Sequence, residues 1–394
     1  MYTFLKSTLL FSALVAGQLL TVTAQEVNQQ QRPRRVNGSA AKAPSQNTQP
    51  ARTEEVADGD VVRVDTQLVS VPAVVTTVAG RPVAGLKTEN FKLFENGQLQ
   101  KIADFATTEA PFEIALLLDT SGSTRNDIQL IREAALSFID GLRDGDRVAI
   151  VGFGTGRQGP AVDVLTRLTD DRQLLRIAID SLRSTSGTPF YDGLERIAEE
   201  IFAAPPREEV MGRRALVALT DGVDSTGRAE FETARGKLLR TGVATYFIQV
   251  NTEEFVENAL LRPCGEGVVL STKQLRRHRR LFQPRMRMED ITDFCEMGSF
   301  ERMQVSRDLY NLARREMNEL AKASGGRNFL AATLRDAREA FGKVAAEIGT
   351  QYSLGYYPTN KARDGKFRTI KVEVQGVQDK AQVRAREGYY APKG

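Results

Sequence analysis

The sequence contains very few of the side chains on which most zinc sites and catalytic triads depend. Its 394 residues include one histidine, two cysteines and no tryptophan. Structural zinc sites take several cysteine and histidine ligands, so this composition excludes a site of that kind. A histidine-based catalytic triad would depend on His278 alone.

The chain also lacks a large excess of either charge. It has 54 Lys and Arg residues against 50 Asp and Glu residues, for a formal net charge of +4. Such near balance disfavours a polybasic nucleic-acid coat and an acidic disordered tail. Hydrophobic residues make up 41% of the chain, which is enough for a buried core. At roughly 100–200 residues per domain, the length predicts two domains.

The first 24 residues have the pattern of a secretory signal peptide. Lys6 precedes an apolar run over residues 8–22, and small residues lead to a cleavage site after Ala24. A membrane anchor is the alternative, but the run is interrupted and short for a span of about 20 residues. Residues 25–60 are polar and are predicted to be a disordered linker. We therefore expect an exported protein, and the periplasm, the cell surface and the medium are all open as its destination.

Two separate segments have the pattern of β-strands. Residues 61–109 alternate, are rich in Val and Thr, and contain Asn96-Gly97, a dipeptide typical of a tight hairpin turn. Residues 351–394 contain three further strand-like stretches. Neither segment has enough strands to be stable alone. We predict that the two segments form one β-sandwich into which the intervening domain is inserted.

Residues 110–350 alternate apolar strands with amphipathic helices. The run FEIALLL at residues 112–118 is typical of a strand buried on both faces of a parallel sheet. The pattern predicts a doubly wound, mostly parallel, Rossmann-like α/β domain. The glycine-rich residues 152–159 lack a Walker-type Lys and are interpreted as a flexible turn. Helices are predicted over residues 126–142, 171–182, 190–203, 229–239, 307–323 and 334–348.

An insertion over residues 252–305 contains both cysteines. In an oxidising compartment, Cys264 and Cys295 are the only available pair. Their disulfide would close a loop of about 30 residues and stabilise the fold by roughly 3–4 kcal/mol. The alternative is that both thiols are free.

The centre of the insertion, residues 273–287, has seven Lys and Arg residues and no acidic residue. One interpretation is a contact with an anionic surface, and nucleic acid is the least favoured such partner in an exported protein. The other is a solvated excursion of the chain. The candidate contact residues are Arg276, Arg277, Arg279 and Arg280.

Oxygen-bearing side chains follow the predicted strands. The loops at the carboxyl ends of a doubly wound sheet meet at one crevice, so these side chains are expected to meet there. Oxygen ligands without His or Cys suit Mg²⁺, and also Mn²⁺ or Ca²⁺. Asp192 either braces the loop that carries Thr188 or is an acid in the first turn of a helix, where the helix dipole favours it. Asp224 is expected to be exposed to solvent. The candidate metal ligands are Asp119, Ser121, Ser123, Thr188 and Asp221.

The sequence DTSGS at residues 119–123, together with the Thr of GTPFYDGL and the Asp of LTDG, resembles the metal-ion-dependent adhesion site of von Willebrand factor type A domains. All five positions match that motif in order and spacing. The chain as a whole resembles secreted von Willebrand factor A-related acidobacterial proteins. The resemblance implies that Ser121, Ser123 and Thr188 contact the ion and that Asp119 and Asp221 bind largely through water. It also implies a partner protein that supplies a Glu or Asp to the metal.

Two other functions are compatible with parts of the sequence. A Mg²⁺-dependent hydrolase with Asp119 as nucleophile needs a second carboxylate two residues later. Ser121 occupies that position, which disfavours the hydrolase. A structural scaffold of the cell envelope would use these hydroxyls only to cap helices and turns. The sequence therefore predicts a secreted, non-enzymatic, cation-dependent adhesion module, and it predicts neither the partner nor the oligomeric state.

Overall fold

The computed structural model describes residues 68–107, 109–121, 128–156, 159–263, 270–285, 294–377 and 381–393. The predicted signal peptide, the predicted linker, Ser123 and Cys264 lie outside the described residues. The strands are β1 Val69–Thr77, β2 Phe91–Glu95, β3 Gln98–Gln100, β4 Ile102–Ala106, β5 Glu113–Leu118, β6 Arg147–Gly156, β7 Gly159–Thr169, β8 Arg214–Thr220, β9 Ala244–Val250, β10 Arg327–Ala331, β11 Gln351–Tyr356, β12 Phe367–Val374, β13 Ala381–Ala385 and β14 Gly388–Tyr390. The helices are α1 Ile128–Asp140, α2 Arg172–Ser181, α3 Phe190–Arg196, α4 Phe231–Thr241, α5 Glu253–Leu260, α6 Thr272–Phe282, α7 Ser299–Ser324 and α8 Ala337–Gly349.

A six-stranded mixed sheet forms the centre of the α/β region, with strand order β10-β9-β8-β5-β6-β7. Five of its strands run parallel, and β7 pairs antiparallel with β6. All six residues of β5 are buried, as the apolar run predicts for a central strand covered on both faces. The predicted α/β class with a mostly parallel sheet is confirmed.

Helices cover both faces of this sheet. On one face, Ile131 of α1, Leu175 of α2 and Phe341 of α8 pack into one apolar cluster with the sheet. On the other face, Leu194 of α3 and Met317 of α7 pack into a second cluster, together with α4. The two clusters account for the continuous apolar character of the strands, because neither face of the sheet meets water.

Local signals place several helix ends. Asp171 accepts hydrogen bonds from the backbone N–H groups of Gln173 and Leu174, so it is the N-cap of α2 and lies just outside the helix. Helices α4 and α7 end at Gly242 and Gly325, whose φ angles are 74° and 83°. These left-handed conformations favour glycine, which explains why the chain stops each helix there.

The interpretation of residues 152–159 as a flexible turn is wrong. Strand β6 continues through Gly156, which pairs with Gly159 at the start of β7. A side chain at Gly152 would lie 2.7 Å from Cδ2 of Leu182. Glycine at this position lets the backbone of β6 approach a neighbouring element closely, so the glycine marks packing within a strand.

The N-terminal and C-terminal strands pair with one another. Strand β1 pairs antiparallel with β11 and β13, and β2 pairs antiparallel with β12. They belong to two four-stranded sheets, ordered β13-β1-β11-β4 and β14-β12-β2-β3. Both sheets contribute to one apolar cluster, in which Val71 and Leu354 of the first sheet meet Leu93 of the second.

The predicted insertion is more ordered than its sequence suggested. It contains α5 and α6, and α7 begins at Ser299, inside the boundary predicted at residue 305. Val256 of α5, Leu275 of α6 and Leu309 of α7 bury each other in a separate small core. Cys295 is not a free thiol, but Cys264 lies outside the described residues, so the disulfide remains a prediction.

Within the part of the chain that the structure describes, no helix has both the length and the apolar composition needed to cross a membrane.

Candidate metal site

Two carboxylates lie at the ends of adjacent parallel strands. Asp119 directly follows β5 and Asp221 directly follows β8, and these strands pair in register through Leu118 and Leu219. The backbone N–H of Asp119 donates to the carbonyl of Leu219 at 2.9 Å, which extends the ladder to the carboxylates. Both side chains are buried, with 2% of Asp119 and 7% of Asp221 exposed. The strand pairing therefore brings two acids together in one crevice.

The carboxylate of Asp119 accepts hydrogen bonds from neutral groups. Oδ1 accepts from the backbone N–H of Ser121 at 3.0 Å, and Oδ2 accepts from the hydroxyl of Thr220 at 2.7 Å. Burial, and then the nearby charge of Asp221, raise the pKa of Asp119 to about 7. Its hydrogen bonds oppose the rise without cancelling it. A positive charge in this crevice would reverse the effect.

Asp221 is oriented by a residue that the sequence analysis missed. Its Oδ1 accepts from the backbone N–H of Val223 at 2.9 Å, and its Oδ2 accepts from the hydroxyl of Thr252 at 2.6 Å. The Thr252 hydroxyl also lies 2.7 Å from the phenol oxygen of Tyr310. Burial and then the charge of Asp221 raise the pKa of Tyr310 well above its ordinary value, so the phenol stays protonated. The available signal was that Thr252 stands just past the end of β9.

Backbone hydrogen bonds connect the three predicted ligand loops. The N–H of Thr185 donates to the carbonyl of Thr120 at 3.0 Å, which joins the second loop to the first. Thr188 is buried; its N–H donates to Ser225 Oγ at 2.9 Å and its carbonyl accepts from the Ser225 N–H at 3.0 Å. The structure therefore holds Asp119, Ser121, Thr188 and Asp221 on connected loops at one end of the sheet, and Ser123 lies outside the described residues.

Asp192 binds the backbone of the loop that follows β8. Its Oδ1 accepts from the N–H groups of Arg228 at 2.8 Å and Ala229 at 2.6 Å. The side chain lies in the first turn of α3, next in the chain to the loop of Thr188. Asp192 therefore lies in the first helical turn and holds the loop after β8, and its predicted role in support of the metal ligands stays a prediction.

The prediction that Asp224 is exposed is wrong. The residue is 3% exposed, because Lys273 of the insertion covers it and donates to its Oδ1 at 2.8 Å. Asp224 also accepts from the backbone N–H groups of Tyr191 and Gly227 at 3.0 and 3.2 Å. Burial raises the pKa of Asp224, and the ammonium of Lys273 opposes that rise. The acid thus fastens the insertion to the loop that carries Asp221.

A second buried network fastens the insertion to the α/β core. The hydroxyl of Tyr191 donates to Glu316 Oε2 at 2.6 Å, and the guanidinium of Arg277 donates to both Tyr191 and Glu316. Burial, followed by the charge of Glu316, raises the pKa of Tyr191 well above its ordinary value. Sequence patterns contained no signal for this network, because its members come from α3, α6 and α7.

The remaining basic residues of α6 differ in exposure. Arg276 and Arg280 are exposed, whereas Arg277 and Arg279 are buried. His278 is also buried, with Nε2 2.8 Å from Asp308 Oδ2 and its ring stacked on Phe282. The single histidine of the chain is therefore engaged with α7.

The donor chemistry suits a hard divalent cation. Among the described residues, no group of three or more His, Cys, Asp and Glu side chains forms a metal site, so this site depends on two carboxylates and on hydroxyl groups. Two carboxylates balance a charge of +2, and the raised pKa of Asp119 reflects first its burial and then the repulsion by Asp221. These features fit Mg²⁺, Mn²⁺ or Ca²⁺.

Residues 114–223 match the family model of the von Willebrand factor type A domain. The matched segment includes the positions of all five predicted metal ligands, and the match confirms the predicted resemblance to a von Willebrand factor type A domain. Metal binding at these positions stays a prediction. A comparison with curated proteins found no match.

Three solved structures are similar to parts of the chain. BatB from Bacteroides thetaiotaomicron is 15% identical with a TM-score of 0.37, over 60% of this chain and 98% of that one. Proximal thread matrix protein 1 from the mussel byssus is 17% identical with a TM-score of 0.41, over 65% of this chain and 51% of that one. A von Willebrand factor type A protein from Catenulispora acidiphila is 13% identical with a TM-score of 0.40, over 82% of this chain and 74% of that one. The chain thus spans about half the length of the mussel protein.

Proposed function

We propose that the protein is a divalent-cation-dependent protein-binding module that captures a carboxylate of a partner protein. One observation carries the proposal. Asp119 and Asp221 are buried together at the ends of adjacent strands, and the pKa of Asp119 is raised to about 7 by burial and by the second acid. Two acids in one buried crevice are costly without a cation, so their arrangement favours an ion at this point.

The chain's own residues supply the ligands and their orientation. The ion would be held by Asp119, Asp221 and the hydroxyls of Ser121, Ser123 and Thr188, and when bound it supplies a positive charge that attracts a partner's Asp or Glu. Thr220 orients Asp119, and Thr252 orients Asp221, through the hydrogen bonds described above. Connections between the loops keep the ligands in place before the partner arrives. The proposal assigns no catalytic activity to the chain.

The surrounding architecture fits a presenting scaffold. We take the two four-stranded sheets, which share one core, to be a β-sandwich into which an α/β domain of residues 110–350 is inserted. Helix α8 ends at Gly349 and β11 begins at Gln351, so a shift of this helix would act directly on the sandwich. The proposed setting is outside the cytoplasm, after removal of residues 1–24.

Calorimetric titration of the full chain with Mg²⁺ and with Mn²⁺ tests the metal site. The wild type is expected to bind one ion, and Asp221→Asn is expected to abolish the binding. Asp170→Asn is the matched control, since this exposed acid lies in the turn between β7 and α2. An unchanged affinity in Asp221→Asn would overturn the proposed site.

Partner capture needs a separate measurement. A peptide array in which each Glu or Asp is replaced in turn by Gln or Asn is probed with the chain in Mg²⁺ and in EDTA. Binding that needs both the ion and one acidic residue supports the proposal. Metal binding without any acid-dependent peptide binding would favour the structural scaffold, and turnover of phosphate esters in Mg²⁺ would favour the hydrolase.

A further inference from the structure

A cleft of about 680 Å³ lies between helix α6 and the loop that follows β8. The loop contributes Gly227, Arg228 and Glu230, and the helix contributes most of the remaining wall. This volume falls in the range typical of small-ligand sites, roughly 300–1,000 Å³. The cleft is distinct from the candidate metal site, because none of the four candidate metal ligands that the structure describes lines it.

The lining of the cleft is strongly basic. Among the described residues, six Lys and Arg side chains and one acid, Glu230, line it. Glu230 pairs with Arg280 at 2.7 Å, but both side chains are about half exposed and such surface pairs contribute little. Arg276 is exposed at the wall. The six basic side chains are Arg228, Lys273, Arg276, Arg277, Arg279 and Arg280.

Buried hydrogen bonds fix basic side chains that line the cleft. The ammonium of Lys273 donates to Asp224 Oδ1 at 2.8 Å and to the carbonyl of Ala229 at 3.0 Å. Neither Asp224 nor Glu316, the acid that pairs with Arg277, lines the cleft. These buried acids therefore fix the basic residues without filling the cleft with negative charge.

The start of α6 is also fixed. Ser271 caps the helix through the N–H of Gln274 at 3.2 Å, and its hydroxyl donates to the carbonyl of Ser225 at 2.5 Å. The cap and the buried pairs place the α6 side chains before any ligand arrives, which lowers the entropy lost on binding.

The side chain of Arg277 is largely buried where it lines the cleft. Arg277 is 8% exposed, and its Nε is buried with no hydrogen-bond partner among the described residues. A buried donor without a partner costs free energy, so an acceptor beside Arg277 would be favourable. Guanidinium groups bind phosphate oxygens through paired hydrogen bonds.

We propose that this basic cleft binds a phosphate monoester. The group is compact, has three terminal oxygens for several converging donors, and carries a charge of about −1.5 to −2 at neutral pH. A planar carboxylate offers two oxygens and one charge, and so satisfies fewer of these donors. The inference is independent of the proposed metal site.

Calorimetric titration with three matched aryl anions tests the proposal. The full chain is titrated with phenyl phosphate, phenyl sulfate and benzoate at low ionic strength in EDTA. Phenyl phosphate is expected to bind with one-to-one stoichiometry. Phenyl sulfate should bind about tenfold or more weakly because it keeps the three oxygens but carries a single negative charge, and benzoate should bind about tenfold or more weakly because it also offers one oxygen fewer. Raising the salt to about 0.15 M should weaken the binding, because screening acts on the exposed part of the cleft.

Variants assign the binding to the cleft. Arg276→Gln is expected to weaken phenyl phosphate binding by about tenfold, the effect of one lost charged hydrogen bond. Arg335→Gln removes another exposed arginine, which does not line the cleft, and should leave the affinity unchanged. Unchanged circular dichroism in both variants shows that each folds.

Three results would overturn the proposal. They are no binding of phenyl phosphate to the wild type, equal affinity for benzoate or phenyl sulfate, and equal losses in Arg276→Gln and Arg335→Gln. If the proposal holds, a comparison of O-phosphoserine with glucose 6-phosphate distinguishes a modified side chain from a sugar phosphate as the source of the group. Because EDTA is present throughout, the result does not depend on whether the metal site exists.

Discussion

Replacing Asp119 by Asn should make the metal-free protein more stable. The side chain is almost completely buried beside Asp221, and its pKa is raised from 3.8 to about 7. An Asn has the same shape, and its carbonyl oxygen can still accept from the N–H of Ser121. The substitution therefore removes the buried charge and its repulsion while keeping this hydrogen bond.

The magnitude follows from the shift in the Asp119 pKa. A rise of about 3 units corresponds to about 4 kcal/mol of stability lost when the carboxyl is ionised in the folded state. The unfolded chain releases this proton near pH 3.8 and the folded chain keeps it up to about pH 7, so the wild type loses stability as the pH rises through that window. The variant has no such group. Its advantage should grow by about 3 kcal/mol between about pH 5 and about pH 8.

Urea denaturation in EDTA, followed by far-ultraviolet circular dichroism, measures this difference. Asp170→Asn, an exposed acid, is the control and should show no comparable gain. Mg²⁺ should remove more than half of the difference, since an ion at about 100 times its Kd stabilises the wild type by about 2.7 kcal/mol. An Asp119→Asn variant that is less stable than the wild type in EDTA, or a difference that does not change with pH, would refute the electrostatic reasoning. Equal stabilisation of both proteins by Mg²⁺ would place the ion elsewhere.

Three further substitutions test other parts of the structure by the same urea assay or by calorimetry. Glu113→Gln should cost about 3–5 kcal/mol of unfolding free energy, because it leaves the buried Arg214 and the partly buried Arg147 without their carboxylate. Thr252→Val should weaken Mg²⁺ binding by about tenfold, since it removes the 2.6 Å hydrogen bond to the second carboxylate of the site. An unchanged affinity there would show that this orientation is unimportant. Gly326→Ala should destabilise the fold, because its methyl group would collide with the carbonyl of Thr245, whereas Gly342→Ala meets open space in α8 and should stabilise it by about 0.5–1 kcal/mol. Equal effects of the two alanines would contradict this packing argument.

Periodicity predicted the alternating strands and helices well where both ends of an element had a local signal. Helix α2, predicted over residues 171–182, differs by one residue at each end, and it begins at Arg172 because Asp171 is its cap. The glycine-rich stretch before β7 misled the prediction. Glycine in this stretch allows close packing within a strand. The sequence alone does not distinguish such a strand from a glycine-rich turn, because both contain the same residue types.

The basic insertion shows where local patterns fail. Its charge suggested a solvated segment or an anionic-surface contact, yet Arg277 and His278 are buried. Burial of these side chains depends on Glu316 and Asp308, which lie 39 and 30 residues away along the chain. Sequence reasoning had no means of pairing them. The same holds for Asp224, whose buried carboxylate pairs with Lys273, 49 residues away along the chain.

The sequence by itself determined the α/β class and the positions of the candidate ligands along the chain. Long apolar strands can be covered only by helices on both faces, and an acid that directly follows such a strand must lie at the carboxyl edge of the sheet. Asp119 and Asp221 follow from that rule. The tertiary structure alone decided what surrounds them. Thr252 on Asp221 and the basic cleft beside the loop after β8 depend on contacts between distant segments, and these form only when the whole chain has packed.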